Sequence, residues 1–319
     1  MNTQPTDERA GSAASMNQEV SEKSHSVSVK QPASLEEQAK HIKEKGFIIE
    51  NLPSCIDFLS QTNYYRLSAY FLPFKKPDGT YLDNISFNRI KRIYEFDSRI
   101  RGLIFQVIED IELYARTRLS NFLAENYGAL GYLDESIYTS KHNTEAFNAR
   151  IQACIDENKR TPVVKHHIQK YEGQFPIWVI IEFFSMGMLS YLYADLKSTD
   201  KKAIARHSFQ TSAECLESWL RCLTDLRNRC AHYSRLYYWI FPAIPKASKK
   251  VPYPSDRKLF SQILMLKQLY PDKGKWDSRV FTNIEALISE YLPDISLIHI
   301  GFPSNWKHLL SNNTIPAKP

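Results

Sequence analysis

Arg227, Asn228 and His232 hold the most concentrated chemistry in this chain. They lie in Leu226-Arg-Asn-Arg-Cys-Ala-His-Tyr-Ser-Arg-Leu-Tyr-Tyr-Trp239, in the pattern R-N-x-x-x-H. An imidazole titrates near neutrality, and a guanidinium keeps its charge at any biological pH. Together they suit phosphodiester cleavage in RNA without a metal. A base takes the proton of the ribose 2′-OH, the freed oxygen attacks the adjacent phosphorus, and an acid protonates the leaving 5′-oxygen. His232 can fill either proton-transfer role. Arg227 can neutralise charge developing on the phosphoryl oxygens. A single motif is one proton-transfer partner short, and a two-fold dimer would supply a second Arg-His set.

A helix must position these groups. At about 100° per residue, Trp219, Leu223, Leu226, Cys230, Tyr233 and Tyr237 fall on one stripe, which reads as the core face. Opposite lie Arg221, Asp225, Asn228, His232 and Arg235, with Arg227 on one flank and Arg229 on the other. Asn228 sits one turn from His232 and can orient its ring. Arg227 and His232 are about 140° apart on an ideal helix, which favours a groove shared between helices. The competing reading is a solvated face with pairs such as Arg221 to Asp225.

The remaining elements are mostly helical. Residues 1–34 read as a disordered tail, poor in apolar periodicity. Ser34-Leu-Glu-Glu37 has the form of a capping box, so a helix is expected to run to Lys45 and stop at Gly46. An extended piece is expected near Asn63–Tyr70 and the Pro77-Asp-Gly79 turn. Apolar residues at steps of three and four predict a long helix over 87–126, with a bend near Phe96-Asp97 or Gly102 and a stop at Gly128. Further helices are expected near 143–159, 176–196, from Ala213 through the motif, and near 255–269 and 276–290. Pro162 lies in a basic loop, 241–254 is a proline-rich loop, and 311–319 is a flexible C-terminus. The expectation is an all-α protein with minimal strand, its body at 35–310.

Composition is that of a globular chain: 43% hydrophobic, 24% charged and ten glycines in 319 residues. No apolar run is long enough for a membrane span, and the N-terminus has no apolar leader core. The five dispersed cysteines suit free thiols in a reducing cytoplasm. Their spacing suggests no metal site, and no cofactor motif is read. The net charge of +6 is compatible with nucleic acid, but on composition alone it reads first as ordinary solubility charge.

Other residues could extend an RNA surface. Arg66 follows two tyrosines. Glu112 and Arg116, one turn apart, are best read as a structural ion pair, with Arg118 beside them. Arg221, Arg229 and Arg235 flank the motif. Lys246, Lys249 and Lys250 form a basic cluster just after it, able to contact phosphate or simply to be solvated. Phe183-Phe184, Met186, Met188 and Trp219 read as core.

The motif resembles the R-x4-6-H signature of HEPN ribonucleases (higher eukaryote and prokaryote nucleotide-binding domains). More narrowly, the chain is similar to the bacterial Abi family (abortive infection, the AbiD/AbiF-like group) from about residue 35 to 310. The resemblance runs through Asn63-Tyr-Tyr-Arg-Leu-Ser-Ala-Tyr70, Tyr94-Glu-Phe-Asp97 with Arg101, Glu112 with Arg116-Thr117, and Pro176-Ile-Trp178 with Glu182 and Gly187. It continues through Leu226–Leu236 to Gly301-Phe-Pro-Ser-Asn-Trp306. It implies a HEPN-type helical bundle, a homodimer and RNA as ligand. It also implies a role in phage defence, where damage to RNA halts growth of the infected cell. Arg227 and His232 then take the catalytic positions, and Asn228 the polar position after the Arg. Some relatives bind a small noncoding RNA, and some HEPN proteins bind RNA without cutting it. A non-cleaving RNA-binding protein in a defence complex is therefore the alternative.

Overall fold

The computed structural model describes residues 31–249, 251 and 253–312. The tail expected at 1–34 lies outside the described residues up to position 30, as do Lys250 and the last seven residues of the C-terminus.

Ser34 opens the described body as its sequence requires. Its hydroxyl accepts the Glu37 N–H at 3.2 Å, while Glu37 accepts the Ser34 N–H at 2.7 Å. Helix α1 (Leu35–Glu44) ends at Lys45, and Gly46 takes a left-handed φ of 91°. Next come α2 (Leu52–Gln61) and α3 (Tyr64–Ser68), where an extended piece was expected. The Asn63 side chain explains the difference, because it accepts the N–H groups of Tyr65 and Arg66 and starts a helical turn.

The spine is α4 (Phe87–Tyr127), 41 residues long and therefore about 60 Å from end to end. Ser86 caps it by accepting the Arg89 N–H, and Gly128 ends it at φ 78°. Its helical hydrogen bonding runs unbroken through Phe96-Asp97 and Gly102. Ile90, Ile93, Ile100, Ile104, Ile108, Ile111, Ala115 and Leu119 form its buried face.

Then follow α5 (Thr144–Glu157), α6 (Pro162–Lys170), α7 (Ile177–Ile180), α8 (Met186–Asp195), α9 (Ser198–Phe209) and α10 (Ala213–Ala231). Pro162 starts α6 rather than a loop, since its missing N–H costs nothing in a first turn. The helix expected over 176–196 is broken. Phe184 is extended, and Ser185 caps α8 by accepting the Met188 N–H. Closing the fold are α11 (Leu259–Leu269), α12 (Lys273–Lys275), a π-helical stretch Trp276–Phe281 leading into α13 (Thr282–Tyr291), and α14 (Trp306–Leu310).

The protein is all-α. Among the described residues there is no β-strand, only isolated bridges such as Ile48 to Ser86. Helices α7, α8, α9, α10, α11 and α13 pack around α4, and α10 also lies against α8, α9 and α11. The leucine stripe of α10 is buried as expected, with Trp219, Leu223 and Leu226 at 1% exposure or less. Each such side chain stabilises the fold by about 1.5–3 kcal/mol. Phe184, Met186 and Met188 are core as well. Among the described residues no helix is long and apolar enough to cross a membrane.

Candidate functional site

Helix α10 ends one residue before His232, which is its C-terminal cap. The His232 N–H donates to the Asn228 carbonyl at 2.9 Å. The Tyr233 N–H donates to the Cys230 carbonyl at 3.1 Å, and the Ser234 N–H reaches back to the Arg229 carbonyl at 2.8 Å. This double closure is a Schellman ending, and it needs a left-handed residue after the cap, usually glycine. Tyr233 takes that conformation at φ 55°. The chain therefore reverses, and the helical stripe drawn through Tyr233 and Tyr237 does not continue. Tyr233 is exposed. Tyr237 is buried, but from the loop that follows. Helical spacing carried no warning, because a tyrosine stands where glycine would have announced the stop. His232 and Asn228 are both exposed, and the bond joining them is main-chain rather than through the Asn228 side chain.

A buried carboxylate fixes that loop. Asp97, on α4, is fully buried. Its Oδ1 accepts the N–H groups of Leu236 at 2.9 Å and Tyr237 at 2.6 Å. Its Oδ2 accepts the Tyr70 hydroxyl at 2.7 Å and Arg101 Nη1 at 2.8 Å. A buried charge must be paired and hydrogen-bonded to persist, and here both oxygens are. Burial, then the Asp97 charge, push the Tyr70 hydroxyl well above the ordinary tyrosine range. Arg66 adds a second tie from α3, donating to the Tyr233 carbonyl. The Asp97 and Arg101 pair was quoted in the sequence only as part of a resemblance. Two opposite charges at core positions of an apolar helix, four residues apart, are the signal of a positioning role.

Arg227 faces α4. Its Nε lies 3.8 Å from Oε2 of Glu112, while Oε1 of Glu112 is 2.6 Å from Nη2 of Arg116. Arg116 also donates to the Phe184 carbonyl at 2.9 Å, the group freed by the break before α8. Glu112 thus joins the expected ion pair to the motif, a link that spacing within either helix could not reveal. The three side chains line a cleft of about 350 Å³ with Phe105, Glu109 and Leu113. Arg227 spends one edge of its guanidinium on Glu112, and a planar group with five N–H donors retains others for an anionic ligand.

The other candidate side chains do not gather here. Arg229 stacks on the Trp239 ring at 3.6 Å and donates to the Arg235 carbonyl. Arg235 donates to the Ala69 carbonyl. Burial lowers the pKa of both. They hold the loop together and are not free phosphate contacts. Arg118 turns to α9, its Nε 3.0 Å from the Ser208 hydroxyl. Lys246 is exposed, but its main chain is bound to Ser218 and Trp219 near the start of α10. That places it about 20 Å along the helix from His232. Arg221 and Lys249 are exposed, and Arg221 opens on a separate cleft with Glu214, Glu217 and Arg257. Asp225, which the competing reading paired with Arg221, is half-buried, and burial raises its pKa against the opposing charge of Arg229. Burial pushes the Cys230 thiol up to about 12, so it is inert at neutral pH. Among the described residues no cluster of three or more His, Cys, Asp or Glu side chains is arranged to hold a metal ion.

The fold and site are those of an all-α protein whose Arg-x4-His segment closes a central helix beside a charged cleft. Residues 57–238 match the Abi-like protein family, and the chain belongs to that family of phage abortive-infection proteins. The match starts in α2 and ends just past the Asp97-bound loop, so Arg66, Asp97, Glu112, Arg227 and His232 all fall within it. No curated protein and no solved structure matches the chain.

Proposed function

We propose that the chain is a HEPN-type endoribonuclease of phage defence, working without a metal and as a homodimer. His232 serves as general acid or base, Arg227 steadies the charge on the scissile phosphate, and Asn228 contributes from the adjoining turn. The observation that carries this reading is the pairing of an exposed His232 with an Arg227 that opens onto a cleft, both held at the end of one rigid helix. A guanidinium and an imidazole at such a site suit 2′-OH attack, which needs proton transfer and charge stabilisation. Each chain supplies one such set, and a two-fold partner would bring the second. RNA is the expected ligand, with a small noncoding RNA as a further partner.

One observation favours the alternative of an RNA-binding protein that does not cut. The Glu112 carboxylate already answers part of the Arg227 charge. Expression of wild type beside His232→Ala, with growth and total RNA followed together, separates the two. Loss of RNA cleavage and toxicity in a folded His232→Ala protein is expected. Cleavage retained in a clean preparation sinks the catalytic assignment. One intact RNA copurifying with both proteins favours binding alone.

A further inference from the structure

Tyr233 occupies a costly conformation that its backbone ties hold in place, while its side chain gains nothing from the fold. A left-handed backbone brings the Cβ of a non-glycine residue too close to the following carbonyl oxygen. Tyr233 accepts that cost and leaves its ring 68% exposed. Among the described residues its ring meets no other aromatic and its hydroxyl makes no hydrogen bond, whereas its backbone is fastened on every side. Its N–H is taken by Cys230 and its carbonyl by Arg66, and the loop beyond is held by Asp97. Strain kept at a solvent-facing position beside a site points to use by a ligand. A second exposed ring belongs to the segment that ties Tyr233 down. Tyr65 precedes Arg66 on α3 and is 86% exposed, the most exposed large hydrophobic side chain among the described residues.

We infer that Tyr233 is a nucleobase-stacking residue, seating the base of a nucleotide next to the phosphate handled at His232, with Tyr65 offering a further ring. The inference rests on the ribonuclease reading above. Base stacking on an aromatic side chain is worth enough to be read in affinity and is indifferent to base identity. A ring held on rigid backbone loses little freedom when the base arrives, so more of the stacking appears as binding. Arg66, bound to the Tyr233 carbonyl, and Arg227, earlier on α10, supply positive charge that favours an anionic strand over an apolar protein partner.

The test uses the full chain and 2′-deoxy-blocked oligonucleotides of equal length, one bearing bases and one abasic, titrated by fluorescence anisotropy at fixed salt. Tyr233→Asn removes the ring and keeps a residue that tolerates the left-handed conformation. It should weaken the base-bearing strand about tenfold, in keeping with stacking, and leave the abasic strand unchanged. Tyr233→Phe should behave as wild type. Tyr65→Ala should weaken only the base-bearing strand, and by less. Equal loss on both strands, no loss on either, or a change in oligomeric state on removing the ring overturns the stacking role, the last pointing to a protein interface. If wild type binds neither strand, the ribonuclease reading falls with it. If wild type cleaves RNA and Tyr233→Asn still discriminates as wild type does, only the stacking role falls.

Discussion

Glu112 clasps Arg227 across the cleft between α4 and α10, its Oε2 3.8 Å from Nε, while its other oxygen holds Arg116. One carboxylate thus divides its charge between a structural arginine and the arginine of the motif. Glu112→Gln keeps an acceptor and the volume but removes the charge. Its side chain and that of Arg116 are largely buried, so the change should cost about 1–3 kcal/mol of stability in urea unfolding. Arg227 would then be released toward phosphate. The expected outcome is tighter binding of a non-cleavable RNA, with a steeper fall in affinity as salt is raised. Weaker RNA binding in a folded Glu112→Gln protein would mean that Glu112 supports the Arg227 position rather than restraining it.

Asp97 governs the loop after His232, and its removal has a different signature. Asp97→Ala leaves two main-chain N–H groups, the Tyr70 hydroxyl and Arg101 without their buried acceptor. Uncompensated buried charge dominates, so a loss of about 3–5 kcal/mol is expected. Asp97→Asn keeps one acceptor oxygen but introduces donors facing donors, and should fall between the two. Chemical denaturation of the three proteins checks the order. A loss under about 1 kcal/mol for the alanine variant would show that the network is not the anchor described.

The Tyr233 backbone makes the opposite prediction for stability. Tyr233→Gly places at the helix end the residue that a Schellman closure prefers, and the exposed ring gives up little burial. The variant should unfold at a higher temperature, by an amount matching about 1 kcal/mol, even as base-dependent RNA binding declines. A lower melting temperature would show that the ring contributes packing which its exposure conceals.

How much of this was legible in the sequence follows from the range of the interactions. The capping box at Ser34, the α4 stripe, the Gly128 stop and the buried face of α10 are local patterns, set by residues within a few positions of one another, and all four were read from them. The end of α10 was not, because Tyr233 adopts a conformation that its side chain disfavours and that long-range ties hold in place. Arg66 reaches it across 167 positions, and Asp97 reaches Tyr237 across 140. The link from Glu112 to Arg227 likewise depends on how α4 and α10 cross. Arg229 and Arg235 read as available cations because composition records charge, whereas their engagement with Trp239 and the Ala69 carbonyl exists only in the folded chain.

His299 should make stability depend on pH. Its Nδ1 lies 2.9 Å from the Tyr237 hydroxyl, which also accepts the Ser296 N–H. Burial first, then the charges of Lys258 and Arg89, hold its pKa below the ordinary value of 6.5. Tyr238, whose ring stands 5.2 Å away, adds no opposite charge at neutral pH. Below about pH 6.5 the unfolded chain therefore binds a proton that the folded chain resists. The contribution from His299 is fully present above that pH and is lost as pH falls from there through the folded value. Carboxylates change stability in the same direction at lower pH, so the comparison must isolate the histidine. His299→Gln can still bond the Tyr237 hydroxyl and does not titrate. Between pH 7.5 and 5.5 the melting temperature of wild type should fall further than that of His299→Gln. Parallel falls in the two proteins would show that His299 is not protonated differently in the folded and unfolded chains.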